Sequence, residues 1–250
     1  MGLFVGVIPV LIGLLWFPIL RRLKGAAYSF LLALTVGLLV FLGFDTLAEA
    51  MAIIADLPEA LNGVGILVIG FILAILCLSA VSYKTEFHAQ ARGDEFKSLV
   101  WAYLIAFGIG LHNMGEGLAI GSAYAVGEFV LGSSLVIGFM IHNLTEGVAI
   151  VSPLTKTLNI SRRFVGHMVL MGLIAGVPTI VGSLIGGFAY SPGLALLFLA
   201  IGAGAIFDVS FDILHYMAKG RFKSLFTGLN VLGFLVGLLL IYLTGFMVLA

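Results

Sequence analysis

Apolar residues run along this chain in long, nearly unbroken stretches, not in the short alternation of a half-buried strand. Eight such runs stand near Gly2–Leu20, Ala27–Ala55, Leu61–Tyr83, Ser98–Val126, Phe129–Val151, Phe164–Tyr190, Leu194–Met217 and Ser224–Leu249. About 20 mainly apolar residues cross a bilayer as a helix. The pattern therefore predicts an all-α integral membrane protein, a single transmembrane domain over residues 1–250 with eight helices. Charged or Pro/Gly-bearing clusters separate the runs, and only Lys84–Lys97 is longer than a turn. The first run has no basic residue before it, and Arg21, Arg22 and Lys24 follow it, which predicts a retained helix and not a cleaved leader.

The polar positions between the runs orient them. Arg21, Arg22 and Lys24 lie in the first connection, and Lys84, Arg92 and Lys97 in the third. Lys156, Arg162 and Arg163 lie in the fifth, and Lys219, Arg221 and Lys223 in the seventh. These are all 12 Lys and Arg residues of the chain. The even connections carry only acidic residues, Asp56, Glu59 and Glu128, or no charge. Because basic residues stay on the cytoplasmic side, the odd connections are expected inside, 84–97 as a cytoplasmic loop and both termini outside.

Composition agrees with a lipid-solvated surface. Hydrophobic residues make up 62% and charged residues 10% of the chain, where a soluble domain carries about 25% charge. Twelve basic and twelve acidic residues cancel, and no basic block is dense enough to follow a phosphate backbone, so nucleic acid is excluded as a partner. The single cysteine, Cys77, forms no disulfide framework or thiol metal site and is expected as a small buried apolar residue.

A carboxylate at the centre of a span costs about 2.5–3.5 kcal/mol even on the lenient insertion scale. Two neighbouring runs nevertheless carry them mid-span, in a repeated motif. Leu111-His-Asn-Met-Gly-Glu-Gly-Leu-Ala-Ile120 matches Ile141-His-Asn-Leu-Thr-Glu-Gly-Val-Ala-Ile150. Consecutive spans run antiparallel, so the repeat is inverted and brings two half-sites face to face. Within each, His and Glu at i, i+4 share a helix face. His112, Glu116, His142 and Glu146 then offer two imidazoles and two carboxylates, a set suited to Zn²⁺ or another first-row divalent metal. A divalent ion is also what lets two buried carboxylates stay ionised together.

Further acidic pairs stand at i, i+4 in the second and seventh runs: Asp45 and Glu49 in an outer half, and Asp208 and Asp212, followed by His215, in an inner half. Gly37 precedes Phe44-Asp45 as Gly204 precedes Phe211-Asp212. This short match between oppositely directed spans predicts a 3+2+3 inverted-repeat arrangement around the central pair. Along the membrane normal the order is outer pair, central cluster, inner pair, which describes a cation path. His88 reads as part of a solvated loop, and Trp16, Trp101 and Tyr103 as headgroup anchors.

With these motifs in hand, the chain resembles the ZIP (Zrt/Irt-like) family of divalent metal transporters, in particular its GufA-like bacterial and archaeal branch. The resemblance rests on eight spans, both ends outside, a longer third connection and His-Asn-x-x-Glu-Gly in spans four and five. It implies that His112, Glu116, His142 and Glu146 ligate the main metal and that Asn113 and Asn143 border a second position. It implies import of Zn²⁺, Fe²⁺, Mn²⁺ or Cd²⁺ across the cell membrane by movement of one helix bundle against another, with the ion as substrate and no cofactor. Two departures stand out. The family's proline inside the motif is replaced by Gly115 and Thr145, and a glutamate common before the span-six proline is replaced by Val177, before Pro178. The second departure argues for one main metal with a weaker neighbour.

The residues predict a multi-pass carrier that draws an ion past Asp45 and Glu49, holds it at the His/Glu centre and releases it past Asp208, Asp212 and His215. Its partners are the metal ion and the lipid bilayer, and a homodimer is left open. An intramembrane metal-dependent hydrolase and a non-transporting metal-binding protein are the alternatives. The first lacks a His-Glu-x-x-His or Ser/His/Asp set, and the acidic pairs on both sides of the centre speak against the second.

Overall fold

The computed structural model describes the backbone of residues 1–156, 161–189, 191–218 and 220–249, and the side chains there except those of 82, 85–92, 156 and 244–249. His88 lies outside the described side chains. The described backbone consists of helices and the short turns between them, with no strand. Eight helices follow: α1 (Leu3–Leu20), α2 (Ala26–Asp56), α3 (Gly63–Arg92), α4 (Asp94–Ala125), α5 (Phe129–Val151), α6 (Arg162–Ala189), α7 (Pro192–Ala218) and α8 (Gly228–Leu249). The first seven are long and apolar enough to cross a bilayer, and Gly228–Leu243 adds a shorter apolar stretch in α8.

Two predicted boundaries change for physical reasons. The 84–97 connection is not an extended loop: α3 continues to Arg92 and α4 begins at Asp94. No glycine or proline interrupts Lys84–Arg92, so the helix carries on past its apolar part until Gly93, whose φ of 83° only glycine adopts readily. At the other end of the chain, Phe222–Phe226 forms a 3₁₀ turn, and α8 starts at Gly228 instead of near Ser224. Helix α1 is also irregular, a π turn over Leu3–Val7 leading into an α-helix that begins at Ile8.

The helices form a bundle in which α4 is the most enclosed. It packs along α6, α7 and α5, with α3 alongside. Around it, α1 lies against α5 and α6, α2 against α7, α8 and α5, α3 against α7, and α5 against α8. Glycines let the closest pairs meet backbone to backbone. Gly117 and Gly121 of α4 abut α6 carbonyls of Thr179 and Ser183, while Gly182 and Gly186 of α6 abut α4 carbonyls of Met114 and Leu118. Each set is a Gly-x-x-x-Gly stripe, the small-residue seam that suits helix association in lipid, where burial of apolar surface drives nothing. The inner packing layer includes Leu39, Leu42, Ile105, Ile109, Ile150 and Met171.

The outward faces are apolar. Leu73, Leu76, Val130, Leu184 and Phe188 are all exposed, a surface that lipid and not water covers. Cys77 is exposed on α3 as well, contrary to the expectation of burial, because α3 lies at the periphery of the bundle. Trp101 is buried against Tyr216, with the Lys97 ammonium 5.1 Å from its ring centre, so it packs helix to helix and is not a headgroup anchor.

Candidate metal centre

The two motif helices place their polar residues at one buried point. His112, Asn113 and Glu116 of α4 and His142, Asn143 and Glu146 of α5 are all buried, with both asparagines fully so. The i, i+4 spacing puts each His Nε2 3.5 Å from its own Glu Oε1, on both helices. The two imidazole centres are 5.7 Å apart, and ligand atoms of His112, His142 and Glu146 lie within 4.8 Å of one another. Donors 2.0–2.1 Å from a tetrahedral zinc stand roughly 3.3 Å apart. The His/Glu separations within each helix are thus close to those of a ligand shell, while Glu116 falls outside the group of three whose ligand atoms lie within 4.8 Å.

The asparagines cross-link the half-sites. Asn113 Nδ2 donates to Glu146 Oε2 at 3.0 Å and to the Ala175 carbonyl of α6 at 3.1 Å. Asn143 Nδ2 donates to Glu116 Oε2 at 3.2 Å and to the Val5 carbonyl of α1 at 2.9 Å. Each glutamate is thereby steered by the opposite helix and keeps its second oxygen for the centre.

Those second oxygens make no hydrogen bond, each standing 3.5 Å from the imidazole Nε2 of its own helix. Glu116 Oε1, Glu146 Oε1, His112 Nε2, His142 Nε2, Asn113 Oδ1 and Asn143 Oδ1 are all buried without a hydrogen bond. Every carboxylate and amide oxygen in this set only accepts, and a neutral imidazole nitrogen without its proton does the same. No Lys or Arg is among the described buried residues. Six buried polar atoms without a hydrogen bond, with no Lys or Arg among the described buried residues, cost free energy, and a bound metal ion relieves that cost for those it reaches.

The other candidates separate. Glu49 comes to the centre: its Oε1 is 3.8 Å from where a Cβ on Gly115 would stand, and it interacts electrostatically with His112 and Glu116. Its expected companion, Asp45, is exposed one turn away and still interacts with it electrostatically. Asp208 is 7% exposed and accepts from Ser79 Oγ of α3 at 2.5 Å, with Asp212 half-buried near it and His215 exposed. Val177 is 37% exposed and directed away from the centre, so α6 supplies a backbone carbonyl there and no carboxylate.

Three features escaped the motif search. Thr46 of α2 hydrogen-bonds His112 Nδ1 at 2.9 Å, and the Val5 and Ala175 carbonyls hold the asparagines. A helix-to-helix hydroxyl contact leaves no spacing signal. The carbonyls have one: Pro9-x-x-x-Gly13 of α1 matches Pro178-x-x-x-Gly182 of α6. Gly13 abuts the Leu144 carbonyl and Gly182 the Met114 carbonyl, which are matched positions of the α5 and α4 motifs.

No family profile matches the chain. Compared with curated proteins, it is similar to Zinc transporter ZIP10 of Mus musculus and of Homo sapiens, 28% identical to each over 120 residues. The match covers 48% of this chain and 14% of those proteins, so the chain accounts for a small part of their length. It supports the ZIP resemblance.

Proposed function

We propose that this chain is a multi-pass carrier of the cell membrane that imports a divalent transition metal, Zn²⁺ first, by alternating access. The observation that carries the reading is the set of six buried polar atoms without a hydrogen bond contributed by two sequence-matched helices. His112, Glu116, His142 and Glu146 hold the ion, Asn113 and Asn143 brace the carboxylates from across the interface, and Glu49 adds charge from α2. Imidazole and carboxylate suit Zn²⁺ and also Fe²⁺, Mn²⁺ or Cd²⁺, and the similarity to zinc transporters puts Zn²⁺ first.

A 3+2+3 inverted repeat within this one domain is supported by the helix pairs. Exchanging α1, α2, α3 and α4 for α6, α7, α8 and α5 turns the α4–α6 contact into α5–α1, and α2–α8 into α7–α3. It also turns α4–α7 into α5–α2 and α3–α4 into α8–α5, and all of these pairs touch. The matched glycines behave alike: Gly37 abuts the Phe234 carbonyl of α8 and Gly204 the Phe71 carbonyl of α3. Val10 with Thr179 and Gly13 with Gly182 pair at an offset of 169, but Val5 with Ala175 at 170, the π turn of α1 absorbing one residue. Two oppositely inserted halves around a midplane site are a frame in which one bundle rocks against the other to expose the ion to each side in turn. The basic connections favour both termini outside and the Asp208, Asp212 and His215 end of the path inside.

Inward movement would pass Asp45 and Glu49, then the centre, then Asp208, Asp212 and His215. Purified protein in liposomes tests this directly. The parent takes up labelled Zn²⁺ along its gradient, and a double His112→Ala, His142→Ala variant of parental thermal stability does not. Equal uptake by the two sinks the assignment, and metal-dependent hydrolysis without flux favours an enzyme.

A further inference from the structure

Thr46 stands behind His112, buried on α2, and its hydroxyl oxygen makes two contacts. One is to the Leu42 carbonyl a turn earlier, at 2.7 Å, and the other is to His112 Nδ1, at 2.9 Å. A hydroxyl has one proton to give, and the carbonyl only accepts. The arrangement that satisfies all three groups sends the Thr46 proton to Leu42 and has Thr46 Oγ1 accept from Nδ1–H of His112. The opposite arrangement puts the imidazole proton on Nε2. That atom is buried and 3.5 Å from Glu116 Oε1, beyond good hydrogen-bond length, so its N–H would have only that long contact as an acceptor. The Nδ1–H form leaves the Nε2 lone pair facing the centre.

The other half-site lacks this support. Ile213 follows Asp212 as Thr46 follows Asp45, is fully buried and has no hydroxyl. Among the described residues the His142 ring has no second hydrogen-bond partner; its polar contact is Glu146 at 3.5 Å. The matched histidines are therefore held unequally.

We infer that Thr46 is a positioning residue that locks His112 in the Nδ1–H tautomer with Nε2 on the cargo, making α4 the fixed half of the site and α5 the yielding half. The inference rests on the carrier reading for its consequence in transport, and on hydrogen-bond geometry alone for the tautomer. A ligand whose tautomer and orientation are set before the ion arrives binds it more tightly, and losing such a partner costs about 10–100-fold in metal affinity or activity. His142, without that partner, is the imidazole that turns away when the ion leaves.

Two measurements test this. Histidine labelled with ¹⁵N, observed by solid-state NMR of the metal-free protein in bilayers, reports the tautomer, with the His112 signals assigned by their absence from His112→Gln. The parent and Thr46→Ser show a protonated Nδ1 and bare Nε2 at His112, and Thr46→Val shows a mixture. A protonated Nε2 in the parent overturns the proposal, whatever the transport result. In liposomes, Thr46→Val raises the KM for Zn²⁺ about tenfold or more while the maximal rate changes less than about threefold, and Thr46→Ser restores the parental KM. A parental KM in Thr46→Val, or a Thr46→Ser variant as impaired as Thr46→Val, likewise overturns it. If the tautomer is as stated but the double histidine variant still transports, the assignment of the metal site to these histidines fails and the Thr46 hydrogen bond does not.

Discussion

Replacing Gly176 by alanine places one methyl group where α6 meets α1. The new Cβ would lie 2.5 Å from Val7 Cα and 2.8 Å from both Gly6 C and Val7 N. These are backbone atoms inside a helix and cannot swing aside. Carbon atoms pack at about 3.5–4.0 Å, so the two helices must part by roughly 1 Å. Next to this contact, the Ala175 carbonyl takes the Asn113 amide at 3.1 Å and the Val5 carbonyl takes the Asn143 amide at 2.9 Å. An opening of that size breaks at least one of these hydrogen bonds. Overpacking costs about 1–3 kcal/mol, and a buried polar group left unpaired about 1–3 kcal/mol more. At about 2–4 °C per kcal/mol, Gly176→Ala should melt roughly 4–24 °C below the parent in detergent. Fluorescence-detected gel filtration after heating measures this. A Cβ at Gly166, on the same helix, meets nothing within 4 Å, so Gly166→Ala serves as the control and should match the parent or exceed it by up to about 1 kcal/mol. If Gly176→Ala melts with the parent, the close α1–α6 approach does not exist and the bracing of the asparagines must be abandoned.

Metal should stabilise the fold, since it engages the four buried ligand atoms of His112, Glu116, His142 and Glu146: Zn²⁺ at 100 times its Kd adds about 2.7 kcal/mol, and chelation should remove that increment along with roughly 5–10 °C of melting temperature. The His112→Ala, His142→Ala variant should show no such increment in the same melting assay. Glu49→Gln removes a negative charge facing His112 and Glu116 and should weaken Zn²⁺ binding about tenfold, or about 1.4 kcal/mol, by titration calorimetry; Asp45→Asn, at an exposed carboxylate, should change equilibrium binding less. Imidazoles ligate only when neutral, so acidification should weaken Zn²⁺ binding, with protons released on binding; calorimetry in buffers of different ionisation enthalpy counts those protons, and affinity independent of pH between about 5 and 8 would remove the histidines from the site.

Much of this protein was legible in one dimension. Length and continuity of apolar runs define spans because a bilayer has a set thickness and leaves no backbone group unpaired, so each run must be helical. The repeated His-Asn-x-x-Glu-Gly was legible for a related reason: ionisable residues in lipid are costly, and they stand out against 62% hydrophobic composition. Spacing alone put His112 with Glu116 and His142 with Glu146, because i, i+4 is a property of the helix itself. What spacing could not supply was contact between helices far apart in the chain. Glu49 was grouped with Asp45 by spacing, and the two do interact, but only the tertiary structure shows that Glu49, half-buried, also acts on His112 and Glu116 while Asp45 is exposed. Nor does any local pattern place Thr46 behind His112, 66 residues away, or the Val5 and Ala175 carbonyls behind the asparagines. Local hydrogen bonding and hydrophobicity are written residue by residue, whereas the partners that orient a ligand are set by how whole helices are seated, and here that seating depends on glycines whose missing side chains let two backbones meet.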